Sequence, residues 1–200
     1  MLVIFDWQHQ GKPPPKHRDR GATCEIDGVR VYETDLTAGY IDAAARMIRD
    51  AGHQVEIITE GWYPNRHKLA CSMAMETERP VAYLASHINA GGGSYAAIYH
   101  DERSFNGARL AGCIAGALGA ALPELSKSKS RPSGPEKSGR AWGVFRGIWS
   151  GPMWISGVCL EPAFIDCEEH WPLFTPEGLE RIGAALAAGV LAWGEGKKEV

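Results

Sequence analysis

Four side chains in this sequence are of the types that hydrolytic metal centres use. His9 closes LVIFDWQH, His87 closes VAYLASH, Glu161 closes VCLE, and Glu33 sits where a long loop meets a helical pattern. Two imidazoles and two carboxylates suffice for a zinc site. Three of them bind the ion, one coordination position stays open for water, and the fourth residue serves as general base. Residue types alone leave open which carboxylate binds and which takes the proton. Each residue also has a plainer reading. Most histidines are simply packed or solvated. Glu33 could be an acid favoured by a helix dipole, and Glu161 a structural carboxylate paired with Arg146. His87 has the most telling context. SHINAGGG follows the apolar VAYLA, and its glycines would let backbone approach a bound ligand. His17, His53, His67, His100 and His170 lack such a setting, with His100 and His170 the best substitutes.

The elements that would position these residues alternate along the chain. LVIF (2–5) reads as a strand, and 11–32, rich in Gly, Pro and charge, as a long loop. From Thr34 to about Gly52, Leu36, Tyr40, Ile41, Ala44, Met47 and Ile48 form one apolar stripe at helical spacing. QVEIIT (54–59) and VAYLAS (81–86) read as strands, with a weaker helix over 65–78 between them. A short strand is expected over 95–99, then a small-residue helix from Ser104 to about Leu122 with Phe105, Leu110, Ile114 and Leu118 on one side. WGVFRGI (142–148) and VCLE (158–161) read as strands. Thr175–Trp193 closes as a helix with Thr175 as N-cap and Pro176 at N1. This alternation predicts a single α/β domain over 1–200, with a mostly parallel or mixed twisted sheet and helices on both faces. In such sheets, sites gather where strands end.

Residues 126–140, SKSKSRPSGPEKSGR, carry five basic residues against one acid, and their composition predicts a mobile loop or insertion. It reads either as a solvated linker or as a basic flap touching an acidic substrate. The 200 residues carry a net charge of −3, with 44% hydrophobic and 22% charged residues, which gives no global pull toward nucleic acid or membrane. The five cysteines form no CxxC pair, so they read as reduced packing residues. MLVIFDW lacks the features of a signal peptide, so synthesis in the cytoplasm is expected. No apolar run reaches the roughly 20 residues of a bilayer span, so no stable membrane insertion is expected.

The motifs carry a resemblance when taken in order. DWQHQG (6–11), RDRGA (18–22), YETDLT (32–37), an arginine in NRHKLA (65–70), SHINA (86–90), SFNGARLAGCI and CLEPAFID (159–166) follow one another along the chain. The sequence resembles the zinc-dependent N-acetylmuramoyl-L-alanine amidases of the AmiC-like (amidase-3) family. The likeness covers almost the whole chain, from Leu2 to about Trp193. It implies one zinc ion per chain held by His9, Glu33 and His87, with Glu161 as the catalytic glutamate and Asn89 in a supporting role. It also implies cleavage of the amide between N-acetylmuramic acid and L-alanine in peptidoglycan or muropeptides. Amide hydrolysis at neutral pH needs a nucleophile and a stabilised oxyanion. Zinc supplies both by lowering the pKa of bound water from 15.7 toward ~7 and polarising the carbonyl. Glu161 would take the proton from that water and deliver it to the leaving amine.

Several residues depart from the family pattern. Gln8 and Gln10 stand where glycines flank the first histidine, so the local loop must differ. Pro162 stands where a glycine is frequent, and Asp166 where asparagine is common. Trp62, Tyr63, Trp142, Trp149, Trp154 and Trp171 could stack on sugar or line a peptide groove, though packing is the commoner use. With no leader recognised, the chain looks like a phage or prophage endolysin released through a holin-type pore. A cytoplasmic enzyme acting on recycled wall fragments would look similar. The alternatives are another zinc peptidase or amidohydrolase on this scaffold, a non-catalytic wall-binding module, and a nucleotide-binding domain using AGGGS. That last run lacks phosphate-loop spacing.

Overall fold

Val3 and Phe5 point to one side of the first strand and Leu2 and Ile4 to the other, and all four are buried. A strand apolar on both faces must be covered on both, as in parallel sheets. The computed structural model describes residues 1–16, 18–134, 147–148, 151–152 and 154–196. Its main sheet has six strands: β1 (Leu2–Trp7), β4 (Gln54–Ile58), β5 (Val81–Ser86), β6 (Ala97–Asp101), β7 (Lys129–Ser133) and β8 (Ile155–Glu161). Their spatial order is β4-β1-β5-β8-β6-β7. Strands β4, β1, β5 and β8 run parallel, β6 pairs antiparallel with β8, and β7 follows β6 in parallel. The expected mixed α/β sheet with helices on both faces is what forms.

Helices α1 (Glu33–Asp50), α3 (Phe105–Ala121) and α4 (Pro176–Glu195) cover one face, and α2 (Tyr63–Met75) lies on the other. The α1 stripe packs as its spacing predicts, with Leu36, Tyr40, Ile41, Ala44 and Ile48 buried and Met47 partly so. Each buried leucine or isoleucine among them contributes about 1.5–3 kcal/mol. The caps also follow the sequence. Thr175 Oγ1 accepts from the Gly178 N–H at 3.1 Å, and Ser104 Oγ from the Gly107 N–H at 2.9 Å. Gly183 and Gly189 let α4 approach the backbones of α1 and α3, where a methyl group would overlap them.

The structure departs from expectation at several elements. Within 11–32, β2 (Thr23–Ile26) and β3 (Val29–Tyr32) form a hairpin around Asp27–Gly28, both at positive φ (51° and 78°), a two-residue turn that suits strand twist. Lys129–Ser133 forms edge strand β7 where composition predicts a loop, because pairing with one neighbour supports even a polar strand. Residues 135–140 lie outside the described residues, as do 142–146 of the expected strand over 142–148, of which Gly147 and Ile148 are helical. Strand β8 starts at Ile155 rather than 158, β6 spans 97–101 rather than 95–99, and α2 spans 63–75. Phe105 is 77% exposed instead of facing inward, since it opens α3 beyond the sheet it packs on. No helix among the described residues is long and apolar enough to cross a membrane.

Candidate metal centre

The chain leaves β1 through α1 to reach β4 on one side, and returns through α2 to β5 on the other. Such a reversal opens a crevice at the carboxyl ends of the strands. His9 follows β1, His87 follows β5, Glu161 ends β8, and Glu33 opens α1. All four line one cavity of about 500 Å³, together with Asp19, Tyr63, Asn89, Tyr99 and Cys159. Ligand atoms of His9, Glu33 and His87 lie within 4.8 Å of one another. His87 Nδ1 is 2.8 Å and His9 Nε2 3.5 Å from the same Glu33 oxygen, Oε1. A tetrahedral ion with bonds near 2.05 Å separates its ligands by about 3.3 Å. Two imidazoles and a carboxylate converging at these separations fit zinc. The plainer reading of Glu33 as only a helix-end acid is not what the geometry gives, since its carboxylate faces both histidines.

Electrostatics hold the trio together. Burial works against the His87 imidazolium, but the hydrogen bond to Glu33 and the charge of Glu161 outweigh it and raise its pKa above 6.5. Burial lowers that of His9 despite the attraction of Glu33. Burial would raise Glu33, yet its hydrogen bond to His87 more than offsets this and keeps the carboxylate ionised. Burial pushes the Tyr63 phenol up to about 12, so it stays a neutral donor in the cavity.

Neighbouring groups fix the orientation of each of these side chains. Glu33 Oε2 accepts from the Ala22 N–H at 2.8 Å, and Oε1 from the Ile88 N–H at 3.2 Å. Gly21, at φ +76°, passes so close to that carboxylate that a methyl group would overlap it. His9 Nδ1 lies 3.2 Å from Asp19 Oδ1 and 3.1 Å from Lys12 Nζ. Burial works against the Asp19 carboxylate, but Lys12 and the Gly21 N–H hold its pKa well below the usual range. Tyr40 donates its hydroxyl to the His87 carbonyl at 2.9 Å. Beneath His9 lies a buried network. Arg66 Nη1 donates to Asp6 Oδ1 at 2.5 Å and to the Trp7 carbonyl at 2.8 Å, Arg66 Nε donates to the Gly61 carbonyl at 2.8 Å, and Nη2 to that of Gln10. Tyr83 and Gln8 also donate to Asp6.

That network explains how the loop forms without its two expected glycines. Gln8 turns inward onto Asp6, and His9 itself takes the positive φ of 63°. Asn89 keeps to its own loop. Its Oδ1 accepts from the Ala90 N–H at 2.8 Å, and its backbone bonds to Ala163 and Ile165. Asp166 accepts from the N–H groups of Gly91 and Gly92 at 2.8 and 3.0 Å, closing the glycine run.

The other histidines lie elsewhere. His100 Nδ1 bonds to the Asp101 carbonyl at the far end of β6, His170 Nδ1 accepts from the Phe164 N–H, His53 sits by the amino terminus, and His67 packs between Tyr63 and Tyr83. His17, Arg146, Trp142 and Trp149 lie outside the described residues. Sequence reasoning assigned no role to Asp6, Lys12, Asp19, Gly21 or Arg66. The available signals were an acid inside an apolar strand and the charged RDRGA and NRHKLA motifs.

No protein-family model matches this chain, and no curated protein matches it in sequence. Solved structures do match in fold. Cwp6 from Clostridium difficile superposes with a TM-score of 0.76 at 19% identity, over 96% of this chain and 29% of that one, so the chain spans under a third of that protein. An N-acetylmuramoyl-L-alanine amidase from Clostridium difficile 630 gives 0.75 at 16% identity, covering 98% and 97% of the two chains. The amidase AmiC2 of Nostoc punctiforme gives 0.71 at 16%, covering 96% of each. At these identities the likeness establishes a shared fold.

Proposed function

We propose that this chain is a zinc-dependent N-acetylmuramoyl-L-alanine amidase, cleaving the amide between N-acetylmuramic acid and L-alanine in peptidoglycan. One observation carries the reading: His9, Glu33 and His87 converge to ligand separations in the cavity that Glu161 also lines, on a fold shared with amidases of that activity. A zinc ion held there would supply Lewis acidity and a lowered water pKa. The protein does the rest. With the proton of His9 on Nδ1, Asp19 would accept it at 3.2 Å and Nε2 would be left to bind the ion. The Ala22 and Ile88 N–H groups fix the Glu33 carboxylate. Glu161, rigid at the end of β8, accepts a proton from the attacking water and passes it to the departing amine of L-alanine. Tyr63 and Tyr99 line the space the substrate occupies.

Zinc content and hydrolysis, measured together on wild type and Glu161→Gln, test this. One zinc in both proteins, with new L-alanine amino termini released only by the wild type, is the expected result. Turnover that survives Glu161→Gln would remove Glu161 from the mechanism. Released C-terminal residues in place of L-alanine termini would favour a carboxypeptidase on the same scaffold. Binding to sacculi without turnover, even with added zinc, would favour a wall-binding module. The endolysin reading, with release through a holin-type pore, and the recycling reading share this chemistry. They part on substrate, intact sacculi for the first and soluble muropeptides for the second.

A further inference from the structure

The basic residues after α3 are only partly a loop, and the strand they form aims two of them beside the cavity. Cys159 pairs with Tyr99 and Tyr99 with Arg131, while Glu161 pairs with Ala97 and Ala97 with Lys129. Cross-strand partners share a face, so Arg131 lies on the face where Cys159, Tyr99 and Glu161 line the cavity. Two strand spacings, roughly 10 Å, separate it from β8. Its guanidinium carbon sits 4.6 Å from the centre of the Tyr95 ring, and Tyr95 packs edge-on against Phe164 at 4.9 Å. Thus an aromatic shelf, not an acid, holds this cation. Arg20, Arg46, Arg66, Arg103 and Arg181 all pair with carboxylates. Arg131, like Arg18, Arg30, Arg49, Arg79 and Arg109, has no such partner among the described residues, but of these six it alone has a buried Nε without a hydrogen-bond acceptor there. A buried donor without an acceptor costs stability, and a guanidinium fork matches a carboxylate in two bonds.

We propose that Arg131 anchors a carboxylate of the peptide portion of the substrate. The inference rests on the amidase reading above and names the substrate feature that the β6–β7 edge selects. An extended peptide covers about 3.3–3.6 Å per residue. Three strand spacings, roughly 14 Å, separate Arg131 from β5, which carries His87, so a carboxylate about three or four residues beyond the scissile bond reaches it. Lys129, exposed and in register with Glu161 through Ala97, adds positive potential along the same path.

Two soluble muramoyl tripeptides test this, one with its peptide carboxylates free and one with them converted to carboxamides. The corresponding released tripeptides serve as binding probes that need no turnover. Wild type should bind and cleave the free-acid form roughly ten- to hundredfold better. In Arg131→Met the preference should vanish through KM with kcat kept, and Arg131→Lys should restore part of it. A preference unchanged in Arg131→Met, or absent from the wild type while both forms are cleaved, would overturn the anchor and leave the amidase reading standing. Failure of the wild type to bind or cleave either form would overturn both. Thermal melting of both variants separates loss of recognition from loss of folding.

Discussion

Replacing Arg66 by methionine tests whether the buried network under His9 holds the metal loop in place. Arg66 is 1% exposed and Asp6 0% exposed at the side chain, so the variant leaves a buried carboxyl group without its cation. Breaking a buried pair by removing one partner costs about 3–5 kcal/mol. Asp6 still receives hydrogen bonds from Tyr83 and Gln8, which places the expected loss near the lower bound, about 3 kcal/mol. That is a large share of a total stability of roughly 5–15 kcal/mol, and for a chain this long it lowers Tm by roughly 6–12 °C. Urea unfolding of the metal-free protein measures it directly. The double variant Asp6→Asn with Arg66→Met should lose less than Arg66→Met alone, since no charge is stranded. Arg66 also holds the carbonyls of Trp7 and Gln10 on either side of His9, so zinc affinity should fall together with stability. A loss under about 1 kcal/mol, or zinc affinity unchanged in a clearly destabilised variant, would refute the claim that this ion pair shapes the loop.

Further outcomes follow from the site. Asp19→Asn should weaken zinc binding by roughly 10–100-fold in a chelator competition, with little change in the circular dichroism of the metal-free protein. Gly21→Ala forces both a disfavoured φ and an overlap with Glu33, so metal analysis should find the purified variant depleted of zinc. Because His87 binds its proton more tightly than an ordinary imidazole, zinc affinity should fall as pH drops through that raised pKa, read by titrations between about pH 5.5 and 8. In the metal-free protein the His87–Glu33 pair contributes stability below pH 6.5 and loses it as pH rises through the raised value. Zinc-loaded and metal-free melts should therefore slope in opposite directions with pH. Free zinc at a thousand times its Kd should stabilise the fold by about 4 kcal/mol, and a chelator should reverse this.

Much of this architecture was legible because burial leaves a period in the sequence. The α1 stripe, the two-sided apolar runs of β1 and β5, and the caps of α4 could all be read directly. The hairpin β2–β3 and edge strand β7 could not. Their residues are largely exposed or half-buried, so pairing rather than burial defines them and no alternation marks them. His9, His87 and Glu161 were visible as polar residues ending apolar strands, and Glu33 as an acid where a loop meets a helix. The groups that orient them were not, because Asp6, Asp19 and Arg66 act through contacts spanning up to 77 positions. Gln8 looked like a loss in a glycine-flanked motif, yet it serves as an internal hydrogen-bond donor.

The order of the strands also sets an order in time. His9, Glu33 and His87 all belong to the first 87 residues, carried by β1, α1 and β5, whereas Glu161 comes on a strand that joins the sheet beside β5 much later in the chain. At a synthesis rate of about 5–20 residues per second, the ribosome delivers the proposed base roughly 4–15 s after the last candidate ligand. On the amidase reading, a growing chain therefore carries all three candidate ligands before it carries the proposed base, so hydrolysis waits on strand β8.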